Sequence, residues 1–134
     1  MISLAEYVGL HANSPDWTDA CAKNAADLLT RVNSLLIESG LNMKNNPATK
    51  SLISGVKYGG FRPQNCQQGA ATSSHKTGKG VDVFDPDNSL DKWLDANESK
   101  LAEHGLYREA PSETLSWTHL TTRAPKSGKR TFYP

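Results

Sequence analysis

The chain has 134 residues, 22% of them charged and 37% apolar, with a formal net charge of +1. That length builds one domain with a real core and is short for two. The near-neutral balance gives no electrostatic reason to expect nucleic acid or an anionic membrane as partner, although Lys126, Lys129 and Arg130 cluster near the C-terminus.

No segment approaches the roughly 20 apolar residues of a membrane span. Met1–Tyr7 has neither a basic n-region nor a long apolar run, so the chain reads as one made in the cytoplasm without a signal peptide. Leu4–Leu10 suggests a short helix. Ser14-Pro15-Asp16 then has the composition of a helix start: a capping hydroxyl, a proline in the first turn and an acid at the positive end of the dipole. Ala20, Cys21, Ala25, Leu28, Val32, Leu35 and Leu36 recur at helical spacing, and Gly40 follows as a C-cap. The spacing therefore predicts a long amphipathic scaffold helix, with Trp17 among its core anchors. Two cysteines cannot make a disulfide framework, and neither sits in a CxxC or Cys-His pair; Cys21 reads as a core thiol on this helix and Cys66 as a loop thiol.

Asn45-Asn46-Pro47 breaks into a loop, and Leu52–Tyr58 reads as a strand interrupted by Gly55. Gln64–Ser74 is small and polar, hence a loop. Gly80–Phe84 alternates as a strand and stops at Asp85-Pro86. Ser89 is placed to cap a second helix carrying Leu90, Trp93, Leu94, Ala96 and Leu101, which Gly105 ends. Leu106–Glu109 and Trp117–Leu120 read as two further strands joined through Pro111 and Ser112, and Arg130–Tyr133 as a final strand in a basic tail. Helices with a small, mostly antiparallel sheet make an α+β fold of one domain over residues 1–134.

Three side chains stand out. His75 closes the polar loop, Asp82 lies between two valines in a strand, and His119 alternates with Trp117 along another strand, so that Trp117 and His119 share a face. Each alone has an ordinary explanation: a surface or satisfied core histidine, a solvated strand acid. Together they supply two imidazoles and a carboxylate, a donor set suited to a catalytic zinc ion that keeps a fourth position for water. His11 and His104 read as surface residues, the latter in a last helical turn where a cation suits the dipole.

The motifs around these residues are Gly60-Phe61-Arg62-Pro63, Asn65, Gly69-Ala70-Ala71, Ser73-Ser74-His75 and Gly78-Lys79-Gly80-Val81-Asp82. They continue as Gly105-Leu106-Tyr107-Arg108-Glu109, Trp117-Thr118-His119-Leu120 and a tail from Pro125 to Pro134. Over nearly the whole chain this series resembles the zinc D-alanyl-D-alanine carboxypeptidase and peptidoglycan endopeptidase family, whose metal site is hedgehog-like, and within it a small phage and prophage branch.

The resemblance implies His75, Asp82 and His119 as ligands of one zinc ion, and Arg62 and Ser73 as groups on the substrate side. Trp117 reads as a wall of the site or as a core residue. Many members of that family place a glutamate three residues before the last histidine; here that position is Ser116, which cannot accept the proton. Glu109 stands where the phage branch carries its glutamate, and Glu113, six residues before His119, is the rival for the role of general base. The expected activity is that of a metallopeptidase hydrolase cutting a bond in peptidoglycan stem or cross-bridge peptides, as a monomeric endolysin of a bacteriophage or as an enzyme of wall penetration. It would reach the cell wall through a holin or as part of a virion. The other reading is a catalytically silent zinc module that binds peptidoglycan or a protein partner.

Overall fold

The computed structural model describes residues 1–134 and shows an α+β fold of four helices and one mixed four-stranded sheet. Helix α1 (Leu4–Val8) is closed by a capping box in which Ser3 and Glu6 satisfy each other's backbone amides. It runs into a 3-10 turn at Gly9–His11. Helix α2 (Asp19–Ser39) buries Cys21, Ala25, Leu28, Leu29, Val32, Leu35 and Leu36 along one stripe, and Gly40 ends it at φ 66°. The start of this helix lies later than the sequence suggests. Ser14 and Asp16 form a turn of their own, and the N-cap is Thr18, whose hydroxyl accepts the amide of Cys21. Trp17 consequently precedes the helix and packs edge-on against Phe61, with ring centroids 4.9 Å apart.

Strand β1 (Gly80–Phe84) pairs antiparallel with β3 (Trp117–Thr121), which pairs antiparallel with β2 (Tyr107–Glu109); β4 (Thr131–Phe132) joins β2 in parallel, giving the order β1-β3-β2-β4. One face presents Val81, Val83 and Leu120 to a core of 20 residues shared with α2 and with Leu90, Leu94, Leu101 and Leu106. The register that sets Asp82 opposite His119 follows from this burial, because a slip of one residue would turn the valines outward.

Two expectations fail here. Leu52–Tyr58 is not a strand: Ile53 makes a single bridge to Val83, and the chain turns away at Gly55. Instead Leu52, Ser54 and Gly59 hydrogen-bond in turn to the backbone of Phe84 and Asp82, closing the outer edge of β1 without a regular strand. The second helix is two helices, α3 (Ser89–Ala96) and α4 (Ser99–Glu103), separated at Asn97-Glu98. Ser89 is not the cap of α3. The buried carboxylate of Asp85 accepts the amides of Leu90 and Asp91 at 3.1 Å each, and also holds Ser89 and Thr118. Trp93 lies at the margin of the core. Both cysteines are free, Cys21 buried and Cys66 partly so. No helix is long and apolar enough to cross a membrane.

Candidate metal centre

The opposite face of the sheet carries the polar cluster. Gly80, Asp82 and Phe84 of β1 alternate with the core valines, and Trp117, His119 and Thr121 of β3 alternate with Thr118 and Leu120. Asp82 and His119 are direct cross-strand partners. His75 arrives from a 3-10 turn (Ser74–Thr77) laid against β1 and capped by Ser73. Gly80 is required where they meet, since a Cβ there would stand 2.2 Å from Ser74 Oγ and 3.0 Å from the His119 ring.

His75, Asp82 and His119 are all buried, and their donor atoms lie within 4.8 Å of one another, so this triad could hold a metal ion. Asp82 Oδ1 is 2.7 Å from His119 Nδ1 and 3.2 Å from His75 Nε2. Donors of a tetrahedral zinc site with bonds of about 2.0–2.1 Å stand about 3.3 Å apart; the His75–Asp82 spacing matches this, and the closer His119–Asp82 pair would have to open to admit an ion. The outer contacts fit as well. His75 Nδ1 donates to the Gly60 carbonyl at 2.7 Å, which fixes the proton there and leaves the Nε2 lone pair facing the centre. Ser74 Oγ lies 3.4 Å from His119 Nε2, a long contact on the side away from Asp82.

The electrostatics suit ligation. Burial pushes the Asp82 carboxyl up, but the adjacent His75 and His119 outweigh it and hold the group well below the usual carboxylate range. His75 is held below the usual imidazole value, chiefly by burial and against the pull of Asp82, which favours the neutral form that can donate its lone pair. Arg62 reaches Asp82 Oδ2 at 3.3 Å while its other donors bind the carbonyls of Tyr58 and Gln68. Those three bonds leave one N–H on each terminal nitrogen of the guanidinium free for another partner.

A pocket of about 410 Å³ opens over this cluster. Arg62, Ser73, His75, Asp82, Glu109, Glu113, Trp117 and His119 all line it, so the structure brings together every residue singled out in the sequence. Ser73 Oγ accepts the amide of His75, which leaves its O–H free to donate. The two glutamates differ in position. Glu109 follows Arg108 on β2, whose pairing with Leu120 carries Glu109 to the level of His119 on the same face. Half-burial raises its carboxyl above the ordinary glutamate value, against the pull of His119. Glu113 lies beyond the end of β2 on an exposed 3-10 turn (Pro111–Glu113).

Several contributors were missed in the sequence. Tyr7, from α1, donates its hydroxyl to the Gly80 carbonyl at 2.9 Å and braces the start of β1 from behind. Thr121, Arg123 and Phe132 line the pocket too, and Phe132 meets the His119 ring edge-on with centroids 6.4 Å apart. Thr121 was legible from its alternation with His119; Phe132 needed the parallel pairing of β4, which no local pattern announces. Of the other histidines, His104 pairs with Glu38 and His11 is half-buried beside Phe61, so neither belongs to the centre. Comparison with known proteins finds no matching family model, no matching characterised protein and no matching solved structure.

Proposed function

We propose that the chain is a zinc-dependent peptidase that hydrolyses a peptide bond in peptidoglycan stem or cross-bridge peptides. The observation that carries this reading is the convergence of His75, Asp82 and His119 on the floor of an open pocket, with Glu109 at the level of His119 on the same sheet face. Bound by those three side chains, zinc would supply Lewis-acid polarisation of the scissile carbonyl and acidify a water molecule.

The remaining work falls to the protein. Glu109 Oε takes the proton from the attacking water and returns it to the leaving amine. Its raised proton affinity suits a group that must both accept and release. The free N–H groups of Arg62 and the hydroxyl of Ser73 line the same pocket and are available to donate to the negative charge that develops on the former carbonyl oxygen. Trp117 and Phe132 give apolar walls that hold the peptide. The resemblance to the zinc carboxypeptidase and endopeptidase family, and to its phage branch, supplies the substrate class and a role in wall lysis or penetration.

Hydrolysis of a synthetic stem peptide, followed by release of a new amine, tests the proposal. Glu109→Gln is expected to lower kcat by about 10²–10⁴-fold while retaining one zinc per chain. His119→Ala is expected to lose both zinc and activity. Full activity in Glu109→Gln would remove the glutamate from the mechanism.

The second reading, a silent zinc module, is favoured by one observation: Ser116, in the position expected for the base, is exposed, and its carbonyl serves only the backbone of Asp85. A zinc-loaded wild type that binds stem peptides and leaves them intact would establish it.

A further inference from the structure

The pocket is longer than the metal centre, and its two ends carry opposite charge. His119 sits in the middle of β3, two residues from Trp117 at one end and two from Thr121 at the other. Five residues of antiparallel strand span about 14 Å, so each end stands about 7 Å from His119 along the strand. Glu113 precedes β3 and lines the pocket at the Trp117 end. Arg123 follows β3 and lines the pocket at the Thr121 end, and Lys79 is held at that same end by its carbonyl bond to the amide of Thr122.

Neither charge is paired with an opposite one. Glu113 is exposed and takes part in no ion pair and no side-chain hydrogen bond. Arg123 is exposed, gives one guanidinium N–H to the Thr72 carbonyl at 2.6 Å and pairs with no carboxylate. The contrast with the other pocket arginine is direct, since Arg62 is buried and already paired with Asp82.

We infer that Glu113 and Arg123 are specificity-determining residues: they select an extended peptide that runs along β3 with a free ammonium at the Trp117 end and a free carboxylate at the Thr121 end. This rests on the peptidase reading and adds to it the polarity and direction of the substrate. It also separates the two glutamates, giving Glu109 the proton transfer beside His119 and Glu113 the recognition of a cation. A guanidinium holds a carboxylate with paired N–H donors, and a carboxylate holds an ammonium by charge and hydrogen bond. Both contacts lie in solvent, so each contributes a modest, salt-screened preference rather than an absolute requirement.

The probes are four forms of one stem peptide, L-Ala-γ-D-Glu-L-Lys-D-Ala-D-Ala, with its amines free or acetylated and its C-terminus free or amidated. Hydrolysis by the zinc-loaded protein and binding through tryptophan fluorescence are both read, at low and high salt. The wild type is expected to prefer the free-amine and free-carboxylate forms by about 3- to 10-fold each, in KM and Kd, with the preference shrinking as salt rises. Glu113→Gln should erase the amine preference alone, and Arg123→Gln the carboxylate preference alone. Equal KM and Kd for all four forms in the wild type would overturn the inference while leaving the peptidase standing. Charge-selective binding without hydrolysis would uphold it and sink the peptidase. A preference that survives both substitutions, or no binding to any form, would overturn it.

Discussion

At the scale of single residues, Arg62 shows how the centre is held. Its guanidinium binds Asp82 and the carbonyls of Tyr58 and Gln68, so it fixes a candidate metal ligand as well as lining the pocket. Arg62→Lys keeps the charge and loses the planar fork. It is expected to weaken zinc affinity by roughly 10–100-fold, measured by competition with a chromogenic chelator; unchanged affinity would show that Asp82 needs no such support. Gly60 is a second case. Its carbonyl orients His75, and a Cβ on it would lie 1.9 Å from the Tyr7 carbonyl oxygen, a backbone atom with no room to yield. Gly60→Ala is expected to destabilise the fold by about 3 kcal/mol in urea titration and to weaken zinc binding with it; a variant as stable as the wild type would contradict the packing described. Two of the three candidate ligands, Asp82 and His119, were legible because strand alternation and residue type coincide there. The employment of Arg62 was not legible, since two of its three partners are main-chain carbonyls that sequence does not distinguish.

At the scale of elements, the short strands are tied down from the face opposite the site. Arg108 of β2 is fully buried and binds Asp91 and Asp95 of α3 and the hydroxyl of Thr131 on β4. One side chain thus joins β2, β4 and α3 directly behind the strand that carries Glu109. Asp91 shares this guanidinium with Asp95, and its Oδ2 has no partner. Burial pushes the Asp91 carboxyl up to about 6, more than Arg108 lowers it, and the nearby Asp85 charge adds to the rise. The folded chain therefore binds this proton more readily than the unfolded chain, where an aspartate titrates near ~3.9. The stabilisation from this group is complete below that unfolded value and is lost as pH rises through about 6. Urea unfolding of wild type and Asp91→Asn, at fixed ionic strength from about pH 4 to about pH 7, should show the wild type losing stability relative to the variant across that window. Curves that stay parallel would place an ionised Asp91 in the fold throughout. The element boundaries that misled have related causes. Ser14-Pro15-Asp16 has the composition of a helix start, yet its side chains serve a turn and a bond from Asp16 to the Gln64 amide. Ser89 looked like a cap, but Asp85, four residues before it, accepts the amides of Leu90 and Asp91. Leu52–Tyr58 reads as a strand, but only its first residues reach the irregular edge of β1 before the chain turns at Gly55.

At the scale of the whole molecule, the sheet divides the labour. One face completes an apolar core with α2, while the other holds a buried triad that could bind a metal ion, under an open pocket. The class of fold could be read from periodicity, because the core face of each regular strand and the stripe of α2 repeat at their proper spacing. The pocket required tertiary knowledge: its walls come from β1, β2, β3, β4 and the loop before His75, brought together by pairings far apart in sequence. The most direct measurement is digestion of purified peptidoglycan by the zinc-loaded protein, with and without chelator, and identification of the products by mass spectrometry. The expected result is a new amine and carboxyl terminus at one stem or cross-bridge bond, absent when zinc is removed and restored when it is returned. Products that form equally in chelator, or an intact wall in the presence of one bound zinc per chain, would contradict it.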